Sequence, residues 1–129
     1  MREVHGDLHL ANTVRLADGV VTAFDGLEFD PALRWIDVFS DAGFLMMDLL
    51  AHGRSDLAWR FINGWLDHTG DHAGLPMLRL VLVYRALVRA MVGTLRGTPR
   101  DAAGVREYLA LAEQLVGHRV PRLLLTHGL

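Results

Sequence analysis

Two acids and an amide, Asp7, Asn12 and Asp25, stand at spacings that suit phosphoryl transfer. They lie in His5-Gly6-Asp7-Leu8-His9-Leu10-Ala11-Asn12 and, twelve residues on, in Phe24-Asp25-Gly26. Between Asn12 and Asp25 the chain reads as a hairpin. Paired hairpin ends sit about 5 Å apart, so these two oxygen-bearing side chains can meet at one point. Asp7, five residues before Asn12, is on a loop able to fold over that point. Two carboxylates and an amide oxygen make a hard-oxygen site suited to magnesium, with one carboxylate left as a base. Transfer of a phosphoryl group to a hydroxyl needs that set: one aspartate orients the attacking hydroxyl, and an asparagine and a second aspartate hold metal on the phosphates.

Neighbouring residues extend the set. His5 belongs with Asp7 in the catalytic group, either bracing the loop or acting as acid or base. His9 is a candidate for contact with substrate or metal. Glu28, three residues after Asp25, is another, set against a plain solvated loop glutamate. A competing reading places His5, Asp7 and His9 on one face of a strand, where alternate positions could chelate zinc or iron for a hydrolase. That reading gives Gly6 and the Asn12-hairpin-Asp25 pattern no task. His68 and His72, with Asp67 and Asp71, have helical spacing but are interrupted by Gly70, and read as a solvated helix end. Arg85, Arg89 and Arg96 form a stripe that reads as a solvated face, or as the border of an anionic substrate.

The elements that must carry these residues change character near residue 30. Thr13 to Leu16 and Val20 to Phe24 read as strands joined by Ala17-Asp18-Gly19, and Asp-Gly is a strong hairpin signal. Asp30-Pro31 reads as a helix start, an N-cap acid followed by proline. The helix is expected to run through Trp35, Phe39, Phe44 and Met47 to Leu50, apolar nearly all round and hence central. Ser55 is expected to cap a second helix ending at Thr69-Gly70. A third is expected from about Pro76 to Leu95, and a fourth opens at Asp101 and stops at Gly117. Val120 to Thr126 reads as a strand. The expected fold is α+β and mainly α, with a β-hairpin carrying the loop and about four helices behind it.

The segment His5-Gly6-Asp7-Leu8-His9-x-x-Asn12 with Asp25 resembles the catalytic loop of the aminoglycoside phosphotransferase and choline kinase group of kinase-like enzymes. Phe24-Asp25-Gly26-Leu27-Glu28-Phe29-Asp30-Pro31-Ala32-Leu33-Arg34-Trp35-Ile36-Asp37-Val38 is similar to a bacterial subgroup fused to a C-terminal P-loop domain. The resemblance covers essentially the whole chain. It implies the C-terminal lobe of the protein-kinase-like fold over 1–119, with 120–129 the first strand of a P-loop domain. It further implies Asp7 as catalytic base, Asn12 and Asp25 as metal ligands, and Asp37 as a brace under the loop. Mg²⁺ and ATP would be the cofactor and co-substrate, and a small-molecule hydroxyl the acceptor. Ala11 departs from the glycine common in the family.

All 13 basic residues are arginine, and lysine is absent. A lysine on the nucleotide phosphates must therefore come from outside this sequence, and the expectation is of one lobe whose N-lobe and P-loop domain belong to a longer parent. The lobe alone is expected to be inactive, or a non-catalytic binding domain. Net charge is −2 with no basic block, so nothing points to nucleic acid. The charged start Met1-Arg2-Glu3 does not fit a signal peptide, and no apolar run approaches a membrane span. Cysteine is absent, so there is neither a disulfide framework nor thiolate chemistry, in keeping with a cytoplasmic home.

Overall fold

The computed structural model describes residues 2–3, 5–24, 35–36 and 38–117. Among the described residues, four short strands and four helices follow in chain order. The strands are β1 (Arg2–Glu3), β2 (Thr13–Arg15), β3 (Val21–Ala23) and β4 (Trp35–Ile36). The helices are α1 (Val38–Ala51), α2 (Ser55–Thr69), α3 (Leu78–Arg96) and α4 (Pro99–Val116), and a 3₁₀ segment, His72–Met77, leads into α3. The fold is α+β and mainly helical. Among the described residues no helix is long and apolar enough to cross a membrane.

The centre is α1. Phe39, Ala42, Phe44, Met46, Met47 and Leu49 are all buried, as its apolar circumference demands. The other helices each turn one stripe towards it or one another. On α2 the stripe is Ala58, Ile62 and Leu66, and on α3 it is Leu78, Leu82, Ala86 and Ala90, both at steps of four. On α4 it is Tyr108, Leu111 and Ala112. The α3–α4 pair runs close at one crossing: a Cβ on Gly93 would stand 2.7 Å from Val105 Cγ2, so only glycine fits there without a shift.

The expected hairpin is present. β2 and β3 are antiparallel with Thr13 opposite Ala23, and the turn closes with the Leu16 N–H on Val20 O and the Gly19 N–H on Leu16 O. Three expectations need correction. The expected first helix includes Trp35 and Ile36, but these form β4, antiparallel to β1, with Arg2 opposite Ile36 and Glu3 opposite Trp35. An unbroken apolar run cannot by itself separate strand from helix; here pairing with β1 decides, and α1 begins at Val38. The fourth helix opens at Pro99, two residues before Asp101, because the Thr98 hydroxyl accepts the Asp101 N–H as N-cap. The second is preceded by Arg54, so Ser55 is its first turn and not its cap. Asp30-Pro31 and the expected strand Val120 to Thr126 lie outside the described residues.

Candidate active site

Residues 5–12 form a loop held on the surface of α1 by two buried carboxylates. Asp41 accepts the backbone N–H of His5 at 3.1 Å and, more weakly, that of Leu8 at 3.4 Å. Asp48, two helical turns further on and so on the same side of α1, accepts the Leu10 N–H at 2.8 Å and the Tyr108 hydroxyl at 2.6 Å. Buried backbone donors must find acceptors, and a carboxylate is a strong one, so two acids in an apolar helix fix three points of the loop. Gly6 has φ of +79°, the left-handed region that a side chain makes costly, which accounts for glycine between His5 and Asp7.

On this base Asp7, His9 and Asn12 come together. Asn12 Nδ2 donates to Asp7 Oδ2 at 3.0 Å and to Asp7 O at 3.1 Å. His9 is buried, and its Nε2 lies 3.4 Å from Asp7 Oδ2. The partnership with His9 holds the Asp7 carboxyl below its ordinary value of 3.8 against the opposing effect of burial, and Asn12 and Arg89 pull the same way. Asp7 is therefore ionised at neutral pH and accessible at its outer edge, its side chain being 39% exposed. That edge can accept a proton or orient a hydroxyl.

His5 points elsewhere. Its Nε2 lies 2.8 Å from the Phe24 carbonyl oxygen, and a carbonyl can only accept, so Nε2 carries the proton. His5 thereby ties the loop to the far arm of the hairpin. The loop's left-handed turn at Gly6 removes the strand on which His5, Asp7 and His9 would share a face, and among the described residues no three His, Cys, Asp or Glu side chains gather as a metal site. The Phe24 N–H donates to Asn12 O at 2.9 Å, continuing the ladder one pair beyond Thr13 and Ala23. The residue preceding Asp25 is thus opposite Asn12. Asp25 itself, Glu28 and Asp37 lie outside the described residues.

A second wall comes from α3. The Arg85 guanidinium stacks 4.6 Å above the Phe44 ring, whose other neighbour is the His9 ring at 5.4 Å, and Arg85 Nη2 reaches Ser40 Oγ at 3.3 Å. Burial lowers the Arg85 pKa, while the charges of Asp41, then Tyr84 and Asp7, oppose that shift. Arg89 lies 5.7 Å from the Tyr108 ring and also acts on Asp7. Arg85 and Arg89 are half-buried on the loop side of α3, whereas Arg96, the third member of the stripe, is exposed. Asp41, Asp48 and Tyr108 are the residues that sequence reasoning passes over. Their signal is an acid recurring seven residues later inside a helix otherwise apolar on every side.

A mainly helical α+β fold with a carboxylate-bearing loop braced on its central helix defines the class that this chain can be assigned to. The chain is 40% identical over 127 residues to uncharacterized proteins of Mycobacterium bovis and of two Mycobacterium tuberculosis strains. The match takes in 96% of this chain but only 25% of each relative. No family model matches the chain, and no solved structure matches it.

Proposed function

We propose that this chain is the catalytic-loop lobe of a kinase-like phosphotransferase, of the aminoglycoside phosphotransferase and choline kinase kind, that moves the γ-phosphoryl of ATP to a small-molecule hydroxyl. The observation that carries the reading is Asp7: an ionised carboxylate with an open edge, held by His9 and Asn12 on a loop pinned to α1. In the reaction the acceptor oxygen bonds to the γ-phosphorus, the bond from that phosphorus to the β–γ bridging oxygen breaks, and ADP leaves. Asp7 orients the hydroxyl and takes its proton, while the loop supplies position.

Of the two ligands expected for a magnesium ion, Asn12 is among the described residues and Asp25 is not. An amide that gives its Nδ2 to Asp7 carries the hard oxygen Oδ1 on its other edge, and Asp25 follows in sequence on Phe24, whose N–H bonds to Asn12 O. Asn12 and Asp25 would hold the ion, which neutralises charge on the phosphates when bound. His9 and His5 serve as positioning residues, one for Asp7 and one for the hairpin. With no lysine in the chain, the nucleotide's remaining contacts belong to other parts of the whole protein, consistent with relatives four times as long.

The test is phosphotransfer by the protein in its full natural length, carrying Asp7→Asn. Turnover is expected to fall by about 10²–10⁴-fold with magnesium-nucleotide affinity nearly unchanged, the scale of a lost positioned base. Undiminished turnover would remove Asp7 from the chemistry. Absence of phosphotransfer in the unaltered full-length protein across a broad acceptor panel, with nucleotide affinity intact, would leave a binding domain.

A further inference from the structure

Beside the loop, where α3 ends and α4 begins, lies a cavity of about 430 Å³. Ala11 forms its rim on the loop side, and Arg89, Arg96 and Arg100 line it. Arg89 and Arg96 are seven residues apart on α3 and so share a face, while Arg100 is in the first turn of α4. One carboxylate is also present, that of Asp101, which is occupied as acceptor for the Thr98 hydroxyl. Three guanidinia against one engaged carboxylate leave the cavity strongly positive in a chain whose net charge is −2. Among the described residues none of the three arginines has an ion-pair partner, and the buried Nε of Arg89 has no hydrogen-bond acceptor. A buried guanidinium N–H without an acceptor is costly, and a carboxylate or phosphate suits it and the exposed guanidinia of Arg96 and Arg100 beside it.

The cavity is joined to the chemistry at two points. Ala11 precedes Asn12, and the charge of Arg89 is felt at Asp7. We infer that this cavity seats an anionic group of the acceptor, so that the hydroxyl delivered to Asp7 belongs to a carboxylated or phosphorylated polyol rather than to a neutral or cationic compound. The inference rests on the phosphotransferase reading only for the word acceptor; the anion seat stands on the arginines themselves. The nucleotide's phosphates are the other possible source of anion. A magnesium ion held by Asn12 and Asp25 would draw them to the loop instead, and the Mg-ADP arm of the titration below separates the two sources.

The experiment is calorimetric titration of the purified protein with glucose 6-phosphate, gluconate and glucose, each with and without saturating Mg-ADP. At least one anionic probe is expected to bind about tenfold or more tightly than glucose, the scale of one charge-assisted contact. Arg96→Leu with Arg100→Leu is expected to erase that preference. Both positions are exposed, so the fold is spared. Arg106→Leu, also exposed and outside the cavity, is expected to keep it. No preference for the anions, or equal loss in the Arg106→Leu control, overturns the seat. Displacement of the anions by Mg-ADP overturns the assignment to the acceptor. Because binding is read without turnover, an anion preference that survives alongside an inactive-looking Asp7 would sink the phosphotransferase reading alone and leave the seat standing.

Discussion

The two walls around Asp7 are built from opposite charges and do different work. On the α1 side Asp41 and Asp48 are buried and bonded to groups of the protein itself, loop amides and a tyrosine hydroxyl, while the His52 ring bonds at 2.8 Å to the Asp48 backbone carbonyl. On the α3 side Arg85 and Arg89 lie over aromatic rings, and the Nε atoms of both are buried without an acceptor among the described residues. The acids are satisfied and therefore structural. The arginines are held by ring contacts and by bonds to Ser40 and Tyr108, and each keeps its Nε in reserve, which suits groups whose partner arrives with a substrate. Arg89 adds a small pull to the larger one of His9 on the Asp7 carboxyl, without joining it in a salt bridge among the described residues.

If the acid wall is the structural one, its loss should cost stability and the loss of an arginine should not. Asp48→Ala strands the half-buried Leu10 N–H and the buried Tyr108 hydroxyl, which now face a carboxylate. Hydrogen bonds to charged groups contribute about 1.5–3 kcal/mol each, so for the two bonds urea denaturation should show a loss of about 3–6 kcal/mol. Arg89→Met, which removes a poorly satisfied cation and retains its stem, should move the midpoint by less than about 1 kcal/mol. Equal losses in the two variants would erase the distinction between the walls.

Tyr108 gives a pH readout of the same wall. Burial and then the bond to Asp48 push its phenol up to about 12. An acid held protonated in the folded state contributes stability that is complete below its unfolded value of about 10 and is lost as pH rises through 12. In a Tyr84→Phe background Tyr108 is the sole tyrosine. Its near-ultraviolet tyrosinate transition should then fall near 12 in the native protein and about two units lower in denaturant. A shift that persists in Asp48→Asn would assign it to burial alone.

How much of this was legible beforehand follows from range. The loop motif, the hairpin and the helix ends at Gly70 and Gly97 are local, set by residue types within a few positions, and the structure has them where the pattern predicts. The start of α1 was not legible, because Trp35 and Ile36 take their conformation from Arg2 and Glu3, more than 30 positions away. Asp41 and Asp48 were hidden for a related reason. A buried acid looks like a flaw in an apolar helix until the backbone donors it serves, 33 to 38 residues distant, are placed beside it. Arg85 and Arg89 stand one residue, about 100°, round α3 from the buried Ala86 and Ala90, at the edge of the stripe, where spacing alone does not say whether a long side chain turns in or out.

The smallest effect is the sharpest test of the arginine wall. Among the influences on Asp7 the charge of Arg89 is the last in size, after the bond to His9, burial, the His9 charge and the bond to Asn12. Arg89→Met should therefore raise the Asp7 carboxyl midpoint only slightly, read from the carboxyl carbon in an NMR titration. The sign follows from linkage. A carboxyl depressed in the folded state adds stability that is present above its unfolded value and is lost as pH falls through the folded one. Removing Arg89 moves that loss to higher pH and shrinks it. His9→Gln, which removes the largest influence, should raise the midpoint further. If the two variants shifted Asp7 equally, or Arg89→Met shifted it down, Arg89 would not be facing the site, and the link between the arginine-lined cavity and Asp7 would be broken.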